Sequence, residues 1–259
     1  MKRLLILGGT SDAIKLAAMT NEVLNLATIY SLAGRTRRPN IPLCKIRTGG
    51  FGGVDGLVNY LRSAKINFVI DATHPFADKI AANALEACNR VNIPRIKFCR
   101  PPWEPNEITW ISALTYSETV RKISTMGERI FLSIGANNLE AFSILSKKWF
   151  LVRAIEKPIH PIPLKNHNIV FERGPFDEIQ ERTLLTSFRI DVLVSKNSGG
   201  PPAAKLNAAH KLGIPIVVIE KPIPPAGKLV YTIEKTLDWL SNQIKLSYLP
   251  KSHLIENIN

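Results

Sequence analysis

The chain has 259 residues, 45% of them hydrophobic and 21% charged, enough to bury a large core in one domain or two. No apolar run approaches the roughly 18 residues of a membrane-spanning helix, and Cys44, Cys88 and Cys99 show neither C-x-x-C spacing nor an even-numbered framework, so a soluble cytoplasmic protein with reduced thiols is expected. Lys and Arg outnumber Asp and Glu by 34 to 21, a net charge of +13, which favours an anionic partner: nucleic acid, an acidic membrane surface or a polyanionic small molecule.

Lys2–Leu7 reads as a first strand, cut by Gly8-Gly9-Thr10-Ser11-Asp12 before a helix over Ala13–Met19. Its apolar part is too short for the core of a signal peptide. Strand, glycine turn and helix N-terminus together make a site for a pyrophosphate, bound by backbone N–H groups. The spacing departs from G-x-G-x-x-G, and Thr10 and Ser11 could equally be helix caps. The second strand, Leu26–Ser31, leads into Leu32-Ala33-Gly34-Arg35-Thr36-Arg37-Arg38. In a dinucleotide fold this strand end meets the adenosine ribose, where an acid holds the 2′-hydroxyl of NAD. Here no acid occurs between Glu22 and Asp55, whereas Ser31, Arg35, Arg37 and Arg38 cluster. Guanidinium groups suit a 2′-phosphate, so NADPH is favoured over NADH, with a solvated basic loop as the alternative. After a short strand, Leu43–Arg47, the run Gly49-Gly50-Phe51-Gly52-Gly53 allows close backbone approach to a ligand. It could also be a tight turn into the helix Val54–Ser63.

The fourth strand lies within Ile66–Ala77 and stops at Asp71-Ala72-Thr73-His74-Pro75, before a helix carrying Ala81, Leu85 and Cys88 at helical spacing. Ligands of open α/β sheets sit past the carboxyl ends of strands, so Thr73, His74 and Pro75 are expected to form one wall of a cofactor site. A strand over Arg95–Cys99 ends at Arg100-Pro101-Pro102-Trp103. The Pro/Glu/Asn segment after it marks a boundary between 1–107, the dinucleotide-binding domain, and 108–249, the substrate-binding domain, with 250–259 a flexible tail.

The second half repeats the plan. It reads as a helix (Thr119–Met126), a strand (Arg129–Ile134) ending in Gly135-Ala136-Asn137-Asn138, and a helix (Leu139–Leu145). Two strands (Trp149–Ile155, Asn168–Glu172) and a helix (Asp177–Thr186) follow. A buried strand (Ile190–Val194) then stops at Ser195-Lys196-Asn197-Ser198-Gly199-Gly200, and an amphipathic helix (Tyr231–Lys245) closes the pattern. The stretches starting at Ile66 and Ile190 share one order: strand, polar turn, helix, Ile-Pro, strand, basic residue, proline. They read as the same βαβ unit used once per half. The expected fold is α/β, two Rossmann-like domains with parallel sheets flanking an interdomain cleft.

Some patterns lead nowhere. Tyr231 and Lys235 match the Tyr-x-x-x-Lys of short-chain dehydrogenases, but they fall in the final helix with no serine suitably upstream. His74, His160, His167, His210 and His253 are scattered, so no metal site is expected, and neither G-x-S-x-G nor a Walker sequence occurs. A nicotinamide enzyme needs none of these, because the cofactor carries the hydride. The basic residues are scattered and lack any nucleic-acid-binding motif, which weighs against nucleic acid. A solubility bias is the plain alternative for the charge.

LILGGTSD, SLAGR, GGFGG, DATHPFA, RPPW, ERGPF, LVSKNSGG with the downstream Lys205, and GIPIVVIEKP occur in this order. Over Lys2 to Trp239 the chain thereby resembles the precorrin-6A reductase family of cobalamin (vitamin B12) biosynthesis. The resemblance implies NADPH-dependent reduction of the precorrin-6A macrocycle, or its cobalt form, to precorrin-6B. It matches Gly8, Gly9, Thr10 and Asp12, beside Ser11, to the pyrophosphate turn, and Ser31, Gly34 and Arg35 to the 2′-phosphate loop. Gly50, Phe51, Gly52, Gly53, Thr73, His74 and Pro75 would flank the cofactor, and Lys196, Asn197, Ser198, Gly199 and Lys205 the substrate. Gly135-Ala136-Asn137-Asn138 departs from the family, where a basic residue often follows the glycine. The substrate that the resemblance implies is a polycarboxylate tetrapyrrole, which would account for the positive charge and adds Arg153, Arg173 and His160 as candidates near the ring, with structural salt bridges as the alternative for Arg153 and Arg173. Lys196, His74 or water could supply the proton. Neither a membrane nor a metal is expected, and neighbouring pathway enzymes are the partners to consider. The competing reading is an NADP-sensing regulatory protein that keeps the fold without turnover.

Overall fold

The computed structural model describes residues 1–23, 26–34, 42–105, 108–158, 160–200 and 203–246. The chain forms two compact units, one of Met1–Arg100 together with the chain from Ile223, the other of Pro101–Pro222. In chain order the first unit supplies β1 (Arg3–Leu7), α1 (Ser11–Val23), β2 (Ala27–Leu32), β3 (Lys45–Thr48), α2 (Gly53–Ser63), β4 (Phe68–Asp71), α3 (Asp78–Arg90) and β5 (Arg95–Phe98). The second supplies β6 (Ile111–Ala113), α4 (Tyr116–Ser124), β7 (Arg129–Ser133), β8 (Trp149–Ala154), β9 (His167–Phe171), α5 (Glu178–Ser187), β10 (Val192–Lys196), α6 (Ala204–Lys211) and β11 (Ile216–Ile219). The chain then returns to the first unit with β12 (Leu229–Val230) and α7 (Ile233–Leu246).

Both sheets are six-stranded and parallel, in the orders β3-β2-β1-β4-β5-β12 and β9-β8-β7-β10-β11-β6. This is one doubly wound order used twice. In each sheet the winding reverses beside the central strand, between β1 and β4 and between β7 and β10. The repeat read from Ile66 and Ile190 therefore falls on matching strands, β4 and β10.

The central strands are largely apolar because helices cover both faces. Along β1, Leu4 and Ile6 pack on one side with Leu16, Ala17, Trp239 and Leu240 of α1 and α7. Leu5 and Leu7 pack on the other with Leu57, Leu61, Ala84 and Ala87 of α2 and α3.

Several expectations change. The domain boundary at 107/108 falls inside the second unit, which begins at Pro101, and α7 belongs to the first, because the chain returns after Pro222 to add β12 to the first sheet. The helix over Leu139–Leu145 shrinks to one 3-10 turn, Glu140–Phe142. The strand expected to stop at Val194 runs on to Lys196, where Ser195 and Lys196 still pair with Val218 and Ile219. The tail at 250–259, with Arg35, Arg37 and Arg38, lies outside the described residues.

Candidate functional site

In the first unit the turns after β1 and β4 meet at the reversal of the sheet. Thr10 caps α1, its Oγ1 accepting from Ala13 N at 3.1 Å and donating to Ala72 O at 3.0 Å. One hydroxyl thus starts the helix and fastens the two turns together. Gly8 is required from within, since a Cβ there would run into the buried Tyr30 ring, whose Oη accepts from Gly9 N at 3.0 Å. Burial pushes the Tyr30 hydroxyl above its ordinary pKa, so it stays neutral. Gly9, at φ +114°, faces open space. Ser11 and Asp12 are both held by Arg100 at the end of β5, so the expected pyrophosphate turn carries an ion pair of its own.

The glycine run after β3 is held by Arg47. Its guanidinium donates to Gly49 O at 2.5 Å, Gly50 O at 2.8 Å and Ser31 Oγ at 3.4 Å, and lies 3.7 Å over the Phe51 ring. Gly49, Gly52 and Gly53 have positive φ, which accounts for glycine there. Gly50 has neither a positive φ nor an atom within 4 Å of where its Cβ would stand. Neither its conformation nor its packing within the chain requires glycine.

Beneath Thr73-His74-Pro75 lies a charged cluster that the sequence reading left out. Asp71, fully buried, accepts from Lys97 Nζ at 2.9 Å, Arg95 Nη2 at 3.3 Å, Thr73 N at 3.2 Å and Thr73 Oγ1 at 2.7 Å. Lys97, itself 3% exposed, also donates to Thr73 Oγ1 and O. The turn is bolted to the strand by a buried ion network, while His74 above it is exposed and its Nδ1 accepts from Phe76 N at 3.3 Å.

The second unit places several expected residues differently. Asn197 is fully buried, its amide spent on Trp103 N at 2.8 Å, Trp103 O at 3.1 Å and Glu220 at 2.9 Å. It fastens the turn instead of facing a ligand. Arg153 is buried too, held bidentately by Glu181 at 2.7 and 2.9 Å, with Glu172 at 3.1 Å and the Phe176 ring 4.1 Å away. The structural salt bridge describes this residue. Ser198 is half-buried, Gly199 is buried with φ +71°, and Arg173 and His160 are exposed beyond β9 and β8.

Two lysines occupy the reversal of this sheet. Lys196 donates to Ile134 O at 2.9 Å and lies 5.7 Å from the Tyr116 ring centre. Lys205 donates to Ser133 Oγ at 2.9 Å. Burial, reinforced by Arg153 and Lys196 and opposed by Glu181, brings the Lys205 ammonium from 10.5 down to about 8.

Known proteins match this chain over nearly its whole length. A family profile described as precorrin-6x reductase CbiJ/CobK matches residues 3–241. The chain is 42% identical over 243 residues to the precorrin-6A reductase of Rhodococcus erythropolis, across 93% of this chain and 98% of that one. It is 40% identical over 244 residues to the precorrin-6A reductase of Mycobacterium tuberculosis, with 93% and 98% covered. A solved structure titled CobK precorrin-6A reductase aligns with a TM-score of 0.85 at 38% identity, covering 94% of this chain and 97% of that one.

Proposed function

The chain belongs to the precorrin-6x reductase family, and from that premise we propose that the first unit binds NADPH and delivers its hydride to precorrin-6A held by the second. The protein is an oxidoreductase of cobalamin biosynthesis that reduces a double bond of the precorrin-6A macrocycle. The observation that carries the cofactor half is the Thr10 bridge to Ala72, which joins two glycine- and proline-marked turns where doubly wound sheets take their ligands. The turn after β1 receives the pyrophosphate, the glycine run gives close approach, and Thr73-His74-Pro75 forms a shaped wall beside the nicotinamide. On the second unit Lys196, Lys205, Ser198 and Gly199 meet the macrocycle, with Arg173 and His160 at the rim for its carboxylates.

The test is to mix the protein with NADPH and precorrin-6A and follow the loss of reduced-nicotinamide absorbance. No oxidation with either the metal-free or the cobalt-bearing substrate sinks the reading. Arg35→Ala should weaken NADPH far more than NADH, and an equal effect on both removes the 2′-phosphate assignment. Gly50→Leu should leave stability within about 0.5 kcal/mol and weaken NADPH about tenfold, or about 1.4 kcal/mol. Denaturant midpoints and a cofactor titration measure the two effects separately.

A further inference from the structure

We propose that Lys205 is the proton donor of the reduction, an assignment that rests on the reductase reading above. Hydride addition across C=C or C=N leaves an electron pair on the neighbouring atom, and that atom must take a proton. The donor must sit at the carboxyl end of the second sheet, hold a proton at neutral pH and release it readily.

Lys205 meets these demands by its surroundings. It stands in the first turn of α6, a turn with no acidic residue, where the helix N-terminus disfavours a cation. Its Nζ reaches Ser133 Oγ at the end of β7, and this neutral hydroxyl is its one hydrogen-bond partner among the described residues. The charged groups around it are Arg153 on β8, Lys196 on β10 and Glu181 on α5. Glu181, the one anion of the three, has both oxygens already occupied by Arg153. Two cations, burial and a helix terminus thus oppose the ammonium. Its value of about 8 leaves it protonated at neutral pH, as a general acid there should be. Lys148 shows the contrast: it is more fully buried than the half-buried Lys205, but it donates to two backbone carbonyls and pairs with Glu128.

In the step, the hydride and its electron pair move from the reduced nicotinamide to one atom of the double bond. The π pair moves to the other atom and forms a bond to a proton from Lys205 Nζ. The N–H bond breaks, the amine is left neutral and recovers a proton from water, and the nicotinamide ends oxidised.

The experiment is the pH dependence of kcat with NADPH and precorrin-6A for the wild type and for Lys205→Arg, whose guanidinium keeps the charge but cannot release a proton at these pH values. Wild-type kcat should fall above about pH 8, as the donor loses its proton. Lys205→Arg should lower kcat by about 10²–10⁴, remove that limb and leave KM for precorrin-6A nearly unchanged. A raised KM with kcat and its limb intact would make Lys205 a carboxylate anchor and overturn the assignment. Should the arginine fail to fit, Ser133→Ala keeps the amine and frees its tether. A fall in kcat with a displaced limb then supports the donor role, and an unaltered profile overturns it. No nicotinamide oxidation by the wild type overturns the reductase reading itself, whereas turnover indifferent to both variants removes the donor alone.

Discussion

Asp71→Ala is expected to cost about 3–5 kcal/mol of stability, the range for removing one partner of a buried ion pair. Asp71 and Lys97 are register partners on β4 and β5, and their side chains are 0% and 4% exposed. Without the carboxylate, Lys97 and Arg95 remain as two buried cations, and Arg95 already has an Nε with no hydrogen-bond partner. The loss is a large part of the roughly 5–15 kcal/mol that holds a domain together. It also frees Thr73, whose N–H and hydroxyl both bind Asp71, so NADPH binding should weaken in whatever protein still folds. Urea unfolding measures the first effect. Combining Asp71→Ala with Lys97→Met should recover part of it, because an apolar side chain carries no charge to desolvate. A single variant within 1 kcal/mol of the wild type would show that the network holds nothing.

Glu181→Ala is the counterpart in the second unit and should cost about the same 3–5 kcal/mol. Glu181 is 1% exposed and receives both terminal nitrogens of Arg153. Glu172 touches only the Nε side and is more exposed, so it cannot replace a bidentate partner. Arg153→Met added to Glu181→Ala should restore part of the loss. Arg153→Ala alone should also damage stability, where a residue that only gripped substrate would change KM and leave the melting temperature alone. Thermal unfolding of the three variants decides between the two roles.

These networks show where sequence reasoning stopped. The strands around β1, β4, β10 and β11 were legible because burial on both faces leaves nearly unbroken apolar runs. β6 and β12 were not, since three and two residues carry no pattern and their places come from the sheets they complete. Leu139–Leu145 has helical composition, yet Ile144 faces solvent and only one turn forms. Polar Ser195 and Lys196 suggested a strand end, while the ladder continues through them. The turns of the candidate site were readable from Gly, Thr, His and Pro. The groups that hold them were not: Asp71 in an apolar strand and Lys97 in RIKF are visible anomalies, but pairing them needs the register. Arg47, Arg100 and Trp103 likewise find the glycine run, Asp12 and Asn197 only in three dimensions.

The return of β12 to the first sheet also sets an order of events during synthesis. The second unit is one uninterrupted stretch, Pro101–Pro222, and can close as soon as it has left the ribosome. The first sheet is completed only later, because Lys97 N on β5 and Cys99 N just beyond it bond to Lys228 O and Val230 O. At about 5–20 residues per second, β5 presents an unpaired edge for on the order of ten seconds while the second unit emerges. Throughout that interval Arg95 and Lys97 place cations beside the open edge, where charge discourages pairing with a foreign strand. The buried charges that brace the cofactor wall in the finished protein would thus also guard the nascent one.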